Sequence, residues 1–241
     1  MPTNAVLLRL DGVVHTSDLP VQSFARHLTE QLPAELVQPL IAGMRGFLES
    51  KPELVPAGTD FGGAEDGYQA VEQLALAGGL TAGQIAAARQ SSRADLANSC
   101  WAVDASDGLD DLLAGLPQDW ACAVYAEPAD PAAAAVLEAL DLAGRVDLLP
   151  ESLPAAVARM LGGATPDGRV QPGRILVIGT RWAGELDAAA AAGCATGMVD
   201  RYQLGRGLPD CRAADLQGLL EYSRTWDAGG STRASWGEQT R

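Results

Sequence analysis

The sequence is almost without lysine. Of its 17 basic residues only Lys51 is a lysine, and the rest are arginines. Any chemistry that needs an ε-ammonium therefore has one candidate. Positive charge is scarce altogether: 31 acidic residues against 17 basic ones give a net charge of −14. That balance excludes a nucleic-acid backbone binder, whose affinity comes from clustered Lys and Arg. It disfavours anionic membrane surfaces for the same reason. Cysteine is sparse too. Cys100, Cys122, Cys194 and Cys211 form no C-x-x-C pair, so zinc ribbons and dithiol redox motifs are unsupported and reduced, buried thiols are expected. Long apolar runs are missing. Segments such as Ile175–Gly179 and Ala188–Gly193 fall far short of the roughly 20 residues that span a bilayer. No basic segment followed by an apolar stretch marks a secretory signal, and a soluble cytoplasmic protein is the expectation. Aromatics are few (3 Phe, 4 Tyr, 5 Trp) against 43 alanines and 27 glycines, which implies a core of small side chains in close backbone contact.

What is present is patterned. The 241 residues, 47% of them hydrophobic, suit one large domain or a core with a smaller insert. Ala5–Leu10 is a short apolar run interrupted by Arg9 and ended by Asp11-Gly12. Trp120–Tyr125 ends at Ala126-Glu127-Pro128, and Arg174–Ile178 ends at Gly179-Thr180. Runs of this length bounded by Gly or Pro read as buried strands. Met198–Val199 and Val146–Leu149 supply two more. Helical spacing lies between them: Leu109, Leu112, Leu113 and Leu116; Val136, Leu137 and Leu140 behind Asp130 as N-cap and Pro131; Val157, Met160 and Leu161; and an alanine-rich helix over Gly184–Ala192. Strand–helix alternation predicts an α/β fold with a doubly wound parallel sheet, covered on both faces.

The stretch 18–102 differs. It carries helical periodicity (Phe24, Leu28, Leu32; Leu36, Leu40, Met44; Val71, Leu74), with Thr81 capping a helix over Gln84–Asn98. It is expected to be an inserted all-helical cap on a core of residues 1–17 and 103–222. Residues 223–241, rich in Gly, Ser and Thr, are expected to be a flexible tail carrying Trp226 and Trp236.

Ligands of open α/β sheets sit beyond the carboxyl ends of the strands. Those ends nominate Arg9 and Asp11, Tyr125 and Glu127, and Thr180, Arg181 and Glu185. Converging on one crevice, they would put Asp11, Glu127 and Glu185 beside Arg9 and Arg181. The plain alternative is that strand ends are often polar and Asp11-Gly12 makes a turn. Arg9 is the exception: an arginine inside an apolar strand needs a partner, because an unpaired buried charge is very costly. His15, just past the turn, is a further candidate acid or base, while His27 reads as a surface residue of the cap. Arg181 and Trp182 either line the pocket or plug it.

Ala5–Ser17 (AVLLRLDGVVHTS) resembles the first motif of the haloacid dehalogenase superfamily, and Leu176–Arg201 resembles its fourth, with Gly179, Glu185-Leu186, Ala189 and Ala192-Gly193 at the family's spacing. Asp107-Gly108 and its following helix resemble the approach to the second motif. The helical insert matches the position of that family's first type of cap. The resemblance covers about residues 4–202. It implies a nucleophilic Asp, a second Asp as general acid/base, a Thr or Ser ending the second strand, a phosphoryl-binding Lys, and fourth-motif acids that help hold Mg²⁺. The chain departs from this set. Arg9 stands at the nucleophile position, Tyr125 at the Thr/Ser position and Thr180 at the first acid of the fourth motif. Asp11 and Glu185 match, and no lysine lies near residues 151–154.

A guanidinium stays protonated and cannot attack phosphorus or carbon. The first expectation is therefore a fold member without hydrolysis, without metal or other cofactor, serving a binding, regulatory or assembly role toward an anionic small molecule or a protein partner. Arg9 would replace the metal's charge, pairing with Asp11 or Glu185 or binding an anion directly. The alternatives are a metal-independent enzyme with Asp11 as general acid/base and Arg9 and Tyr125 steadying an anionic intermediate, or a phosphatase or other hydrolase that uses Mg²⁺ and an unusual nucleophile such as Asp18.

Overall fold

A computed structural model describes residues 4–99, 103–162 and 171–226. Six strands form one parallel sheet among them: β1 (Asn4–Arg9), β2 (Trp120–Tyr125), β3 (Asp147–Leu149), β4 (Ile175–Gly179), β5 (Ala195–Val199) and β6 (Cys211–Ala213), in the order β3-β2-β1-β4-β5-β6. This is the expected doubly wound α/β sheet. The central β1 and β4 are buried at every position, which is why both read as near-continuous apolar runs. The order reverses at β1, so the crevice at the carboxyl ends of β2, β1 and β4 is the topological switch point.

Helices α1 (Leu19–Thr29), α2 (Ala34–Leu48), α3 (Gly67–Ala77) and α4 (Ala82–Ser99) follow β1. They bury their own apolar cluster, with Phe24, Leu28, Leu40, Met44 and Val71 among its members. Thr81 and Gln84 exchange hydrogen bonds as a capping box that starts α4. After β1 the chain leaves the sheet through a tight turn with Gly12 at φ +85°. A side chain there would strain the backbone and also strike Thr180. The remaining helices are α5 (Leu109–Gly115), α6 (Ala133–Ala139), α7 (Leu153–Gly162), α8 (Asp187–Ala191) and α9 (Leu220–Thr225).

Several expectations need correction. α6 starts at Ala133, after Ala132, so Asp130 is not its N-cap. The Asp130 carboxylate instead accepts from the Ala132 N–H and pairs with Arg93. The helix expected over Gly184–Ala192 begins at Asp187, because Ala183 and Gly184 have non-helical dihedrals. The start of the tail at residue 223 fails as well. α9 runs through it, Ser223 is buried, and Trp226 packs edge-on against Trp120 at 5.3 Å between ring centroids. Trp236 and Cys100 lie outside the described residues. Among the described residues no helix is long and apolar enough to cross a membrane.

Candidate functional site

Parallel register fixes the crevice. Arg9 sits opposite Tyr125 on β2, and Leu8 sits opposite Ile178 on β4. The strand ends therefore bring Arg9, Tyr125 and the loop after Gly179 side by side. Arg9, only 4% exposed, has oxygen partners in three directions. It pairs with Glu185 through Nη1, lies 3.5 Å from an Asp66 carboxylate oxygen through Nη2, and donates from Nε to the Asp11 backbone carbonyl at 3.1 Å. Arg181 shares these carboxylates. Its Nε donates to Glu185 at 2.9 Å and lies 3.5 Å from Asp66, and its Nη2 donates to Glu127 at 3.1 Å. Glu185 lies beside both arginines and Glu127 beside Arg181, while the Asp11 carboxylate and Thr180 do not join them; Arg181 lines the crevice as an ion-pair bridge.

The Asp11 side chain takes a different partner from the one expected. It accepts from Arg93 of α4 at 2.9 Å, and Arg93 also reaches Asp130 and donates to the Tyr68 hydroxyl at 3.2 Å. Of the two pairings considered for Arg9, the one with the Glu185 carboxylate forms, while Asp11 meets Arg9 only through its carbonyl. Asp18 is remote from this cluster in bonding: Arg201 grips it with two hydrogen bonds of 2.9 and 3.0 Å.

The cap residues in the site were missed. Asp66 caps α3, accepting from the Gln69 N–H at 2.8 Å, and turns its other oxygen to Arg9 and Arg181. Glu65 accepts from the Trp182 and Ala183 N–H groups at 2.7 and 3.0 Å. Arg89 donates to Glu127 at 3.3 Å. The Asp66-x-x-Gln69 pattern is a readable helix-start signal. Nothing in the periodicity of α4 marks Arg93 as buried.

Charge states follow from this geometry. Burial opposes the charge on Arg9, but Glu185 and Asp66 outweigh it and hold the guanidinium firmly protonated. Burial likewise works against the Asp11 carboxylate, yet Arg93, His15 and Arg9 bring its pKa down to about 2. Burial, reinforced by Glu185, pushes the Tyr125 phenol far above its ordinary value. Glu127 is lowered by Arg89 and Arg181 against the effect of burial. Burial keeps His15 below the usual imidazole range.

Two cavities flank Asp11. One, of about 280 Å³, is lined by Arg9, Asp11, Tyr125, Glu127, Ser152, Arg181 and Glu185. The other, of about 50 Å³, lies between the turn, the cap and the end of β5, and takes in His15, Thr180, Tyr68, Arg201 and Tyr202. Thr180 and His15 line this second cavity and not Arg9's. Among the described residues no group of His, Cys, Asp and Glu is arranged to hold a metal ion.

Solved structures share this architecture. A protein of Haemophilus somnus 129PT described as a predicted phosphoglycolate phosphatase matches at 18% identity with a TM-score of 0.62, over 92% of this chain and 99% of its own. The chain has the haloacid dehalogenase-like fold. A 2-haloacid dehalogenase of Pseudomonas syringae pv. tomato DC3000 matches at 16% identity and TM-score 0.53, covering 94% of this chain and 100% of its own. CbbY of Rhodobacter sphaeroides in complex with phosphate matches at 17% and 0.54, over 90% and 96%. No protein-family model matches the sequence, and no curated protein is detectably similar to it.

Proposed function

We propose that this chain is a haloacid dehalogenase-like protein without hydrolytic chemistry, serving a binding, regulatory or assembly role. The observation that carries the reading is Arg9 at the end of the central strand, enclosed by Glu185, Asp66 and the Asp11 carbonyl. These are hard oxygen donors of the kind Mg²⁺ requires. Here they face a guanidinium, and Arg181 shares both carboxylates. A divalent cation among them would lie against two permanent positive charges, so the residues present do not fit Mg²⁺. Arg9 supplies positive charge there from the protein itself. The arginines are also saturated by carboxylates, which argues against the tight capture of an anion through Arg9.

The metal-independent enzyme reading loses support from the same geometry. A carboxyl with a pKa near 2, tied to Arg93, is a poor proton donor at neutral pH. The hydrolase reading rests on the neighbours, which are phosphatases and dehalogenases by description, and on the open 280 Å³ cavity at the strand ends.

Thermal unfolding with and without Mg²⁺ tests the proposal. The melting temperature should not respond to millimolar Mg²⁺. A rise that disappears in Asp11→Ala would establish a metal site and overturn it.

A further inference from the structure

Two connections join the cap to the core, and they are pinned to each other. The Thr16 N–H of the outgoing one donates to the Asp104 carbonyl of the returning one at 3.0 Å, and the Ser106 N–H donates back to the Val14 carbonyl at 3.1 Å. Arg201, in the loop after β5, clasps the outgoing connection from the core. It donates to the Thr16 carbonyl at 2.7 Å and holds both carboxylate oxygens of Asp18, the residue before α1. A domain hinge needs a few loop residues free to absorb backbone rotation. Here backbone hydrogen bonds and a bidentate arginine restrain those residues.

The rest of the cap is fastened as well. Arg93 of α4 reaches two core carboxylates, Asp11 and Asp130, and the Arg93 and Asp130 side chains are only 8% and 1% exposed. Elsewhere on the cap, Glu65 accepts from the loop after β4, and Phe47 of α2 packs on Tyr202 of the loop after β5 with 4.8 Å between ring centroids. Lifting the cap would break these contacts together. The 280 Å³ crevice does not need that motion. Among the described residues its lining comes entirely from the core. Glu127, Pro128, Ser152, Pro154, Ala183 and Gly184 line it and are exposed, so its mouth opens to solvent between three core segments.

We infer that the cap is a fixed roof and not a gate, and that a ligand of the Arg9 crevice enters through the core-only mouth, without cap movement. The ion pairs that hold the cap down leave this entrance free. The inference does not depend on whether the crevice hydrolyses anything.

Distances between spin labels, from pulsed electron spin resonance, read the cap directly. Labels carried on unnatural amino acids at Gln38 of α2 and Gln90 of α4, each paired with one at Ala158 of α7, occupy exposed positions and leave the cysteines in place. Both pairs in the otherwise unaltered chain should give one narrow distance distribution at low and high salt, with any open form below about 1%. Two distances, or a distribution that broadens with salt, overturn the fixed roof. Entry is read separately with Ser152→Cys and iodoacetamide, using peptide mass spectrometry to tell this thiol from the native ones. It should be alkylated within about tenfold of the rate for the same peptide free in solution. Protection of about a hundredfold or more, the mark of access only through a rare open form, overturns the core-only entrance.

Discussion

Replacing Glu185 by Gln removes the nearer of the two carboxylates that Arg9 and Arg181 share. The Glu185 side chain is 12% exposed and that of Arg9 only 5%, so the pair is shielded from water and salt. After the change Arg181 keeps Glu127 at 3.1 Å and Asp66 at 3.5 Å, but Arg9 keeps a single carboxylate, the same Asp66, at 3.5 Å. Breaking a buried pair from one side leaves a poorly compensated charge, at a cost of about 3–5 kcal/mol. The surviving Asp66 contact places this case at the lower end, about 3 kcal/mol. For a chain of this length that lowers the melting temperature by about 6–12 °C. Glu127→Gln is the internal control. Its side chain is 45% exposed, and a pair of that kind contributes less than about 1 kcal/mol. Calorimetry or circular dichroism melts of the two variants, at low and high salt, make the comparison. The Glu185→Gln loss should persist at high salt, where the Glu127→Gln loss shrinks. Equal, small losses would refute the claim that the Arg9 pair is a buried, cap-completed charge cluster.

The acid limb of stability should trace to Asp11. Its carboxyl lies at about 2 in the folded protein against an ordinary 3.8, so its contribution is present above about pH 4 and is lost as pH falls toward 2. The loss amounts to about 2 kcal/mol, and an unchanged acid limb in Asp11→Asn would contradict this. Gly179→Ala should destabilise by about 1–3 kcal/mol, because a Cβ there would stand 2.8 Å from the Tyr125 hydroxyl. Adding Tyr125→Phe should recover part of that loss, and no recovery would rule out the clash as its cause. Glu65→Ala strips the acceptor from the Trp182 and Ala183 N–H groups, so hydrogen exchange at those two amides should accelerate ahead of the β4 amides. Uniform rates would show that the cap does not hold this loop.

The strands at the centre of the sheet were legible because burial on both faces makes them apolar runs, and Gly or Pro ends each one. β6 was not. It is three half-buried residues at the sheet edge, too short for any period. Trp226 follows a short helix in a segment whose composition resembles a linker, and only its packing on Trp120 places it in the core. In the site, Arg9 announced itself as a charge in an apolar strand, and its Glu185 partner came from the same sheet end. Asp66 and Arg93 could not be found that way. They come from the cap, and their roles depend on how it lies over the sheet, which hydrophobic spacing does not encode. Asp130 shows the ambiguity in one residue: Asp before Pro reads as a helix cap, whereas here the carboxylate is taken by Arg93.

With Arg9 at the nucleophile position, this fold's hydrolytic chemistry should be absent from the chain. Assay of the purified chain against a panel of phosphate esters, with Mg²⁺ present, tests it most directly. Turnover should not exceed that of an Asp11→Asn variant. Mg²⁺-dependent turnover abolished by Asp11→Asn would contradict it.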